Sequence, residues 1–322
     1  MDGGLFIASD EEIKKGLTTD VYYVRTRDIL ARKGKLNTRV TMDVHAYSFP
    51  EGYSWAVLAG VEEVVRLLEG LNVDVYAMDE GTVFRLYEPV LRVEGPYGEF
   101  GIYETPILGI LRHSSSIATK AARCKKAAGD RIVISFGVRA IHPAIAPMAD
   151  RAAFIGGCDA VAGIAGAKLI GEQPVGTIPH ELVIIMGDQV AAWKAFDEVM
   201  PPEVPRIALC DTWYDEIFGV GTSIMSPPSI DLSFDIVEVE GRPISKRGKM
   251  PGRKQVYRCF NCMEGAIRPE GSEPPRCPRC GGVMEGLLKP LMKGGRLVRD
   301  LPKPREIREY VLRQLSRLPD VA

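Results

Sequence analysis

Two short blocks of side chains that could do chemistry each follow an apolar stretch of the chain. Ser135-Phe136-Gly137-Val138-Arg139 ends the predicted strand Ile132–Ser135, and Gly176-Thr177-Ile178-Pro179-His180-Glu181 ends the predicted strand Gln173–Gly176. Chemical groups collected at the carboxyl ends of successive parallel strands are typical of the catalytic face of an α/β barrel. An aromatic ring, a guanidinium and an imidazole in such positions suit a flat anionic ring as substrate.

Two more blocks continue this pattern further along the chain. Cys210-Asp211-Thr212 closes the predicted strand Arg206–Leu209, and Phe218-Gly219-Val220-Gly221-Thr222-Ser223 has the form of another strand end. A glycine-rich turn can direct several backbone N–H groups at a phosphate. The four blocks together therefore predict a site for a flat anion and a phosphorylated sugar.

The junction between the last two blocks is too short for a complete barrel. Only about seven residues separate Ile207–Cys210 from Phe218–Val220, whereas parallel strands need a crossover of a dozen or more. Either this sequence omits residues between Asp215 and Phe218, or the protein has lost part of the barrel. We favour the first interpretation, because deleting whole strand–helix units would expose the barrel core.

Two C-x-x-C pairs give the strongest single signal in the chain. Cys259 and Cys262 are separated from Cys277 and Cys280 by 14 residues. Four thiolates at this spacing can surround one tetrahedral zinc ion with no open position, so we expect a structural zinc ribbon. A pair of disulfides is the alternative, which the absence of a secretion signal disfavours. The other cysteines, Cys124, Cys158 and Cys210, are expected to be buried and inert.

The pattern of apolar residues predicts an α/β protein with several folding units. From about residue 111, helix and strand follow in turn, as in parallel β-α units. The predicted units are an N-terminal α+β domain at 1–110, an incomplete-looking α/β barrel at 111–230, a return to the α+β domain at 231–254, a zinc ribbon at 255–290 and a helical tail at 291–322. The remaining predicted strands are Arg39–His45, Val73–Met78, Val83–Val93 (bent or at a sheet edge because of Pro89), Asp159–Ala162 and Ile236–Glu240. The predicted helices are Ser116–Ala128, Pro143–Ile155, Glu181–Val199 and Pro304–Leu315.

The composition excludes several classes of protein. The 322 residues are 46% hydrophobic, enough to bury a full core. Lys and Arg number 41 against 42 Asp and Glu, so no basic excess points to nucleic acid. The weakly polar stretch from Ala152 to Gly171 is interrupted by Asp159 and Lys168, and we expect no membrane span. The start, Met1-Asp2-Gly3-Gly4, lacks the regions of a signal peptide, which favours a cytoplasmic protein.

Taken in order, these blocks resemble nicotinate phosphoribosyltransferase, especially the archaeal type with a C-terminal zinc ribbon. The resemblance begins at Thr19-Asp20-Val21-Tyr22 and continues through Glu88–Gly95, the four strand-end blocks and Lys246-Arg247-Gly248-Lys249. It implies the type II phosphoribosyltransferase fold and the joining of nicotinate to phosphoribosyl pyrophosphate, with Mg²⁺ bound to that substrate. It also implies a homodimer or larger homo-oligomer with shared active sites.

The resemblance assigns roles to individual residues. Phe136 and the neighbouring subunit's Tyr22 would enclose the pyridine ring, and Arg139 would bind a carboxylate or phosphate. Asp211 would hold ribose hydroxyls or magnesium, and His180 would accept a phosphoryl group from ATP. The other implied substrate-binding residues are Thr177, Thr212, Gly219, Gly221, Thr222, Ser223, Lys249 and Arg253.

Two alternatives stay open. A quinolinate or nicotinamide phosphoribosyltransferase would share the barrel and the sugar chemistry, but quinolinate has two carboxylates and calls for more convergent Arg and Lys. A zinc-ribbon protein that binds nucleic acid is the alternative of a different class, and the balanced charge disfavours it.

Overall fold

The computed structural model describes residues 5–208 and 221–319 and shows a mixed α/β protein. The short junction between Asp215 and Phe218 lies outside these residues. The helices are α1 (Asp10–Lys14), α2 (Val21–Arg32), α3 (Val61–Leu68), α4 (Tyr97–Phe100), α5 (Glu104–Ala128), α6 (Ala146–Ile155), α7 (Ile164–Ile170), α8 (His180–Met186), α9 (Gln189–Val199), α10 (Thr222–Met225) and α11 (Pro304–Leu315). The strands are β1 (Arg39–Ser48), β2 (Ala56–Val57), β3 (Asp74–Ala77), β4 (Val83–Phe84), β5 (Pro89–Pro96), β6 (Ile134–Ser135), β7 (Ala160–Val161), β8 (Asp231–Val239), β9 (Arg242–Pro243), β10 (Lys254–Arg258), β11 (Gly265–Pro269), β12 (Glu285–Gly286), β13 (Lys289–Lys293) and β14 (Arg296–Leu297). Within the described ranges, no helix is long and apolar enough to cross a lipid bilayer.

A seven-stranded sheet with the order β14-β13-β3-β5-β1-β8-β9 forms the first part of the molecule. Side chains alternate between its two faces. In β1, Val40, Met42 and Val44 pack into the apolar core with helices α3 and α5. Asp43 and His45 alternate with them and are also buried. One face of the sheet is therefore apolar and the other carries buried polar groups, which need partners from another element.

Pro89 opens a strand in the interior of this sheet. The expectation of a single bent or edge strand over Val83–Val93 is wrong: β4 and β5 are separate, and Tyr87 between them has a φ of 65°. Strand β5 pairs with both β1 and β3, so it is not an edge strand. Proline is tolerated because it is the first residue of the strand.

The second part of the molecule contains parallel structure. Strands β6 and β7 pair in parallel, with Ser135 opposite Val161. The predicted strand Gln173–Gly176 is not a regular strand, and neither is the described part of the next one, residues 206–208. Single backbone hydrogen bonds align them: Val175 N donates to Val161 O at 3.0 Å, and Ile178 N donates to Ile207 O at 3.2 Å. Strands β6 and β7 and the two segments that follow them are therefore neighbours in chain order, and only β6 and β7 pair as a regular ladder.

Local sequence signals set several helix ends. Helix α5 ends at Gly129, whose φ is 61°, as the C-cap signal predicted. The single helix predicted over Glu181–Val199 is instead two helices, α8 and α9. Gly187 ends the first with a φ of 73°, and the Asp188 side chain caps the second by accepting from Ala191 N at 2.7 Å.

A buried network of charges joins the three-stranded sheet β11-β10-β12 to the polar face of the large sheet. The Arg92 side chain is fully buried and donates to Asp43 at 3.1 Å and to Glu270 at 2.7 Å. Lys254, at the start of β10, lies 3.1 Å from the same Asp43. Because Arg92, Asp43 and Lys254 are buried, removing one of these three charges would leave another uncompensated.

Candidate functional site

The turn after β6 packs directly on the turn before α10. A β-carbon on Gly137 would overlap the carbonyl oxygen of Gly221 and the side chain of Met225. A β-carbon on Gly221 would lie 3.0 Å from the carbonyl oxygen of Phe136. Glycine is therefore required at Gly137 for this close approach. The structure thus brings together two predicted blocks that are more than 80 residues apart in the sequence.

The functional groups of these two blocks are accessible. Phe136 is half-buried, and Arg139 is exposed on the short 3-10 turn that follows it. Thr222 and Ser223 are exposed at the start of α10, whereas Met225 is buried beneath them. Three predicted site residues, Asp211, Thr212 and Gly219, lie outside the described residues.

The block that contains His180 lies beyond β7. Val175 bonds to β7, and the exposed Thr177 follows two residues later. His180 is the exposed first residue of α8, after Pro179. The His180 side chain is therefore at the surface of the described part of the chain.

Asp150 is a buried acid beside the candidate site that the sequence analysis missed. It is fully buried on α6, and a β-carbon on Gly163 or Gly166 would overlap its carboxylate. The same added atom on Gly163 would lie 3.0 Å from the Val138 side chain, so the acid lies behind the Phe136–Arg139 turn. Burial raises the pKa of Asp150 to about 7, and a contact with the Gly163 backbone opposes this only partly. The sequence signal that could have revealed Asp150 is its position as an acidic residue within the mostly apolar sequence of α6.

Replacing Asp150 by asparagine is expected to change how stability depends on pH. The folded-state pKa of about 7 lies above the ordinary 3.8, so the folded protein holds this proton more tightly than the unfolded chain. Wild-type stability should therefore fall as pH rises from about 4 to about 7, by at most ~4 kcal/mol for this group. Asp150→Asn should flatten that slope and unfold at a higher denaturant concentration than wild type at pH 8. Equal slopes for the two proteins across this range would contradict the assignment.

Tyr22 lies at the other end of α5 from these blocks. It is exposed on α2, a helix with no buried residue, and its ring centroid is 4.2 Å from that of Tyr23. Asp20, just before the helix, accepts a hydrogen bond from the Thr105 hydroxyl at 2.7 Å. The Thr-Asp-x-Tyr motif is thus fixed to the first turn of α5.

The predicted phosphate ligands Lys249 and Arg253 are paired with carboxylates of their own chain. Lys249 lies 3.1 Å from Asp235, and Arg253 lies 3.1 Å from Glu238. Lys249 Nζ is also 2.9 Å from His45 Nε2. Burial, together with the charge of Lys249, lowers the pKa of His45, which favours the neutral ring. His45 belongs to this polar cluster, which its sequence context did not indicate.

The four predicted metal ligands converge in the ribbon. The Sγ atoms of Cys259, Cys262, Cys277 and Cys280 all lie within 4.8 Å of one another. Each pair of cysteines forms the same turn: Met263 N donates to Cys259 O at 2.7 Å, and Gly281 N donates to Cys277 O at 2.8 Å. Four sulfurs at this spacing could hold one metal ion.

Sequence models of one enzyme family match most of the chain. The N-terminal domain of quinolinate phosphoribosyl transferase matches residues 20–115, and its C-terminal domain matches residues 117–217. The boundary between the two matches falls within α5, the helix that connects the sheet to the parallel part.

Curated relatives carry the name nicotinate phosphoribosyltransferase. The Bacillus subtilis protein is 30% identical over 212 residues, which is 56% of this chain and 43% of that protein. A Mycobacterium tuberculosis protein is 30% identical over 250 residues, which is 67% of this chain and 55% of that protein. The chain thus spans about half the length of the curated relatives it matches. The alignment with the second relative is 250 positions long, but it includes only 67% of the 322 residues of this chain. The second relative therefore has residues within the aligned region that this chain lacks.

Solved structures extend the likeness over nearly the whole chain. A structure described as nicotinate-nucleotide pyrophosphorylase from Pyrococcus furiosus is 46% identical, with a TM-score of 0.94 over 98% of this chain and 99% of that one. Human nicotinic acid phosphoribosyltransferase has the same fold, with a TM-score of 0.75 at 17% identity over 94% of each chain. The chain therefore belongs to the type II phosphoribosyltransferases, the family of the nicotinate and quinolinate enzymes.

Proposed function

We propose that this protein is a nicotinate phosphoribosyltransferase of NAD biosynthesis, which joins nicotinate to phosphoribosyl pyrophosphate and releases nicotinate mononucleotide and pyrophosphate. The packing of Gly137 on Gly221 carries the proposal, because it places Phe136, Arg139 and the Thr222-Ser223 turn in one cluster. An aromatic face and a planar cation suit nicotinate, and exposed hydroxyls beside a glycine suit a sugar phosphate. The names of the curated relatives support the same substrate.

The proposed reaction forms a bond between the pyridine nitrogen and the anomeric carbon while the bond from that carbon to pyrophosphate breaks. Little proton transfer is needed, so orientation and charge stabilisation account for most of the rate. Phe136 would stack on the pyridine ring. Arg139 would bind a carboxylate or phosphate in a bidentate manner. Asp211 and Gly219, which lie outside the described residues, are proposed from the family resemblance to bind ribose and phosphate.

The length of α5 supports a site shared between two copies of the chain. Thr105 holds the Tyr22 motif at the start of this helix, whereas Ile117, further along it, packs against Met225 beneath the Gly221 turn. About 12 residues of helix separate the two anchor points, or ~18 Å along the axis. Two rings that enclose a pyridine lie on the order of 10 Å apart. Tyr22 is therefore better placed to close a partner's site than its own, in a homodimer or larger oligomer.

The cysteine cluster fits zinc. A zinc ion bonded to four sulfurs at ~2.3 Å separates them by ~3.8 Å. The Sγ atoms of Cys262 and Cys277 are 3.2 Å apart, and those of Cys262 and Cys280 are 3.7 Å apart. We assign the cluster a structural zinc, because four protein ligands leave no position open for a substrate.

Two further cofactors are part of the proposal. Mg²⁺ would neutralise charge on the pyrophosphate group, with Asp211 as its proposed protein ligand. ATP would donate a phosphoryl group to His180, whose exposure on α8 fits such a role. We assign Thr177 to the same part of the site.

Quinolinate is the second candidate substrate. The matched sequence models and the Pyrococcus furiosus structure carry names that favour quinolinate. Quinolinate has one carboxylate more than nicotinate and calls for an additional cation. In the two blocks that meet, residues 135–139 and 221–223, Arg139 is the single cation. A single cation in these two blocks matches the single carboxylate of nicotinate, so the number of cations favours nicotinate.

Steady-state release of pyrophosphate tests the proposal directly. The purified protein would be given phosphoribosyl pyrophosphate and Mg²⁺ with nicotinate, nicotinamide or quinolinate in turn, each with and without ATP. We expect the largest kcat/KM with nicotinate. Turnover with quinolinate and release of carbon dioxide would support the second candidate instead, and no turnover with any pyridine would contradict both.

Gly137→Ala tests whether the cluster is the active site. The added methyl group would push the Gly221 turn away, so we expect kcat/KM for nicotinate to fall at least about tenfold, as for other small displacements of catalytic groups. Gly109→Ala is the matched control, since a β-carbon there meets no atom within 4 Å. Equal activity of the two variants would place the site elsewhere.

A further inference from the structure

The ammonium group of Lys249 is surrounded by acceptors of its own chain. Lys249 Nζ lies 2.9 Å from His45 Nε2 and 3.0 Å from Ser233 Oγ. The third contact is with Asp235 Oδ2, at 3.1 Å. A lysine ammonium has three N–H donors, and the neutral His45 ring can accept at Nε2. Three acceptors for three donors leave this group no N–H to offer a ligand.

The Asp235 carboxylate lies at the centre of this cluster. It is buried on β8 and accepts a hydrogen bond from the Ser233 hydroxyl at 2.8 Å. Lys249 lies near one of its oxygens, and Lys246 lies 2.5 Å from the other. Burial raises the pKa of Asp235, but hydrogen bonds from Lys246, Ser233 and Lys249 outweigh burial, so the pKa is lowered overall. The carboxylate is therefore charged at neutral pH and holds two lysines.

The two lysines are the first and last residues of a four-residue turn. Lys249 N donates to Lys246 O at 3.2 Å, and Gly248, the third residue, has a φ of 83°. A positive φ at the third residue but not at the second is typical of a type II turn, and glycine adopts it without strain. The Ser245 hydroxyl donates to Lys249 O at 2.8 Å. Both ends of the turn are therefore fixed to β8 through Asp235.

Arg247, the second residue of this turn, differs from the two lysines that flank it. It is exposed, and no hydrogen bond or ion pair within the described ranges engages its guanidinium. A turn fixed at both ends presents its second residue in a defined direction, which lowers the entropy lost on binding. A planar guanidinium can bind a phosphate through two parallel hydrogen bonds. Arg247 is therefore the cation of this turn that can bind an anion.

We propose that Asp235 is a positioning residue, which fixes the Lys246–Lys249 turn and so presents Arg247 to a phosphate group of phosphoribosyl pyrophosphate. The phosphates call for such a cation, because Arg139 matches the carboxylate of nicotinate. This inference rests on the proposed function and deepens it, since it moves the role of phosphate ligand from Lys249 to Arg247. Asp235 and Lys249 then touch no substrate, and their effects should pass through Arg247.

Binding of phosphoribosyl pyrophosphate with Mg²⁺, measured by calorimetry without a pyridine, tests the role of Arg247. Arg247→Gln should raise Kd about tenfold, as expected for losing hydrogen bonds between charged groups, and leave Tm unchanged. Arg242→Gln is the matched control, since Arg242 is an exposed arginine of the nearby strand β9, and it should leave Kd unchanged. An unchanged Kd in Arg247→Gln, or equal effects of the two substitutions, would overturn the proposal.

Double-mutant cycles test whether Asp235 and Lys249 act through Arg247. Asp235→Asn and Lys249→Gln should each raise Kd severalfold, and neither should have a further effect in the Arg247→Gln background. Lys246→Gln, at an exposed position, should behave in the same way and serves where a buried variant does not fold. Additive effects of Lys249→Gln and Arg247→Gln would make Lys249 a ligand in its own right and overturn the proposal.

Turnover separates this inference from the proposed function. With nicotinate as the second substrate, Arg247→Gln should raise KM for phosphoribosyl pyrophosphate and leave KM for nicotinate unchanged. If nicotinate is turned over but both KM values equal those of wild type, the proposed function stands and the role of Arg247 is refuted. If binding of phosphoribosyl pyrophosphate depends on Arg247 but wild type does not turn over nicotinate, the proposed function fails and the role of Arg247 stands.

Discussion

Replacing Cys277 by serine is expected to abolish binding of the proposed zinc ion and to unfold the ribbon. Structural zinc contributes on the order of 10 kcal/mol to the folding of small Cys₄ sites, and the ribbon has few apolar contacts to replace it. The damage should reach the large sheet, because Lys254, at the start of β10, and Glu270, just after β11, are partners of the buried Asp43 and Arg92. Zinc per chain should fall from one to near zero, and Tm should fall by many degrees.

Cys124→Ser is the control for this experiment. Cys124 is half-buried and lies outside the four-cysteine cluster, so its replacement should leave the zinc content unchanged. A wild-type protein with much less than one zinc per chain would refute the zinc assignment. An unchanged Tm in metal-free Cys277→Ser would refute the dependence of the sheet on the ribbon.

Mixing two inactive variants should restore activity if each site is built from two chains. We expect Tyr22→Ala and Phe136→Ala each to lose most turnover at low nicotinate concentration, because each removes one face of the pyridine pocket. After subunit exchange in a two-fold dimer, about one site in four should combine an intact Tyr22 with an intact Phe136. Activity should therefore rise to about a quarter of the wild-type value.

The control mixes Phe136→Ala with Arg139→Ala. Both residues belong to the same turn after β6, so every hybrid site carries one lesion or the other and no recovery is expected. Recovery in this control would show that the pairing argument is wrong. No recovery with Tyr22→Ala, in chains shown to exchange, would place Tyr22 in the site of its own chain.

The parts of this structure that sequence could predict are those set by short-range chemistry. The C-x-x-C spacing predicted the cysteine cluster, because the turn at each pair of cysteines is closed by backbone hydrogen bonds between the ligands and their sequence neighbours. Gly129 and Pro304 marked ends of α5 and α11 that the structure confirms. The block motifs predicted the family because they are short and occur in a fixed order.

The features that the sequence did not reveal depend on contacts between distant segments. Pro89 suggested a sheet edge, yet β5 is an interior strand because its two neighbours come from elsewhere in the chain. Asp150 looks like an ordinary helical acid, and only the approach of Gly163 gives it its environment. The ion pairs of Lys249 and Arg253 with acids of β8 were equally hidden in the basic run from Lys246.

The order of strands in the large sheet affects how the chain can fold as it is synthesised. Strands β1, β3 and β5 form the centre, and their outer neighbours β8 and β13 follow more than a hundred residues later. Until those strands are made, the centre has two open edges on which another nascent chain could pair. Such distant pairings also slow folding. We therefore expect the yield of folded protein to depend on chaperones that shield these edges during translation, and to fall when synthesis outpaces them.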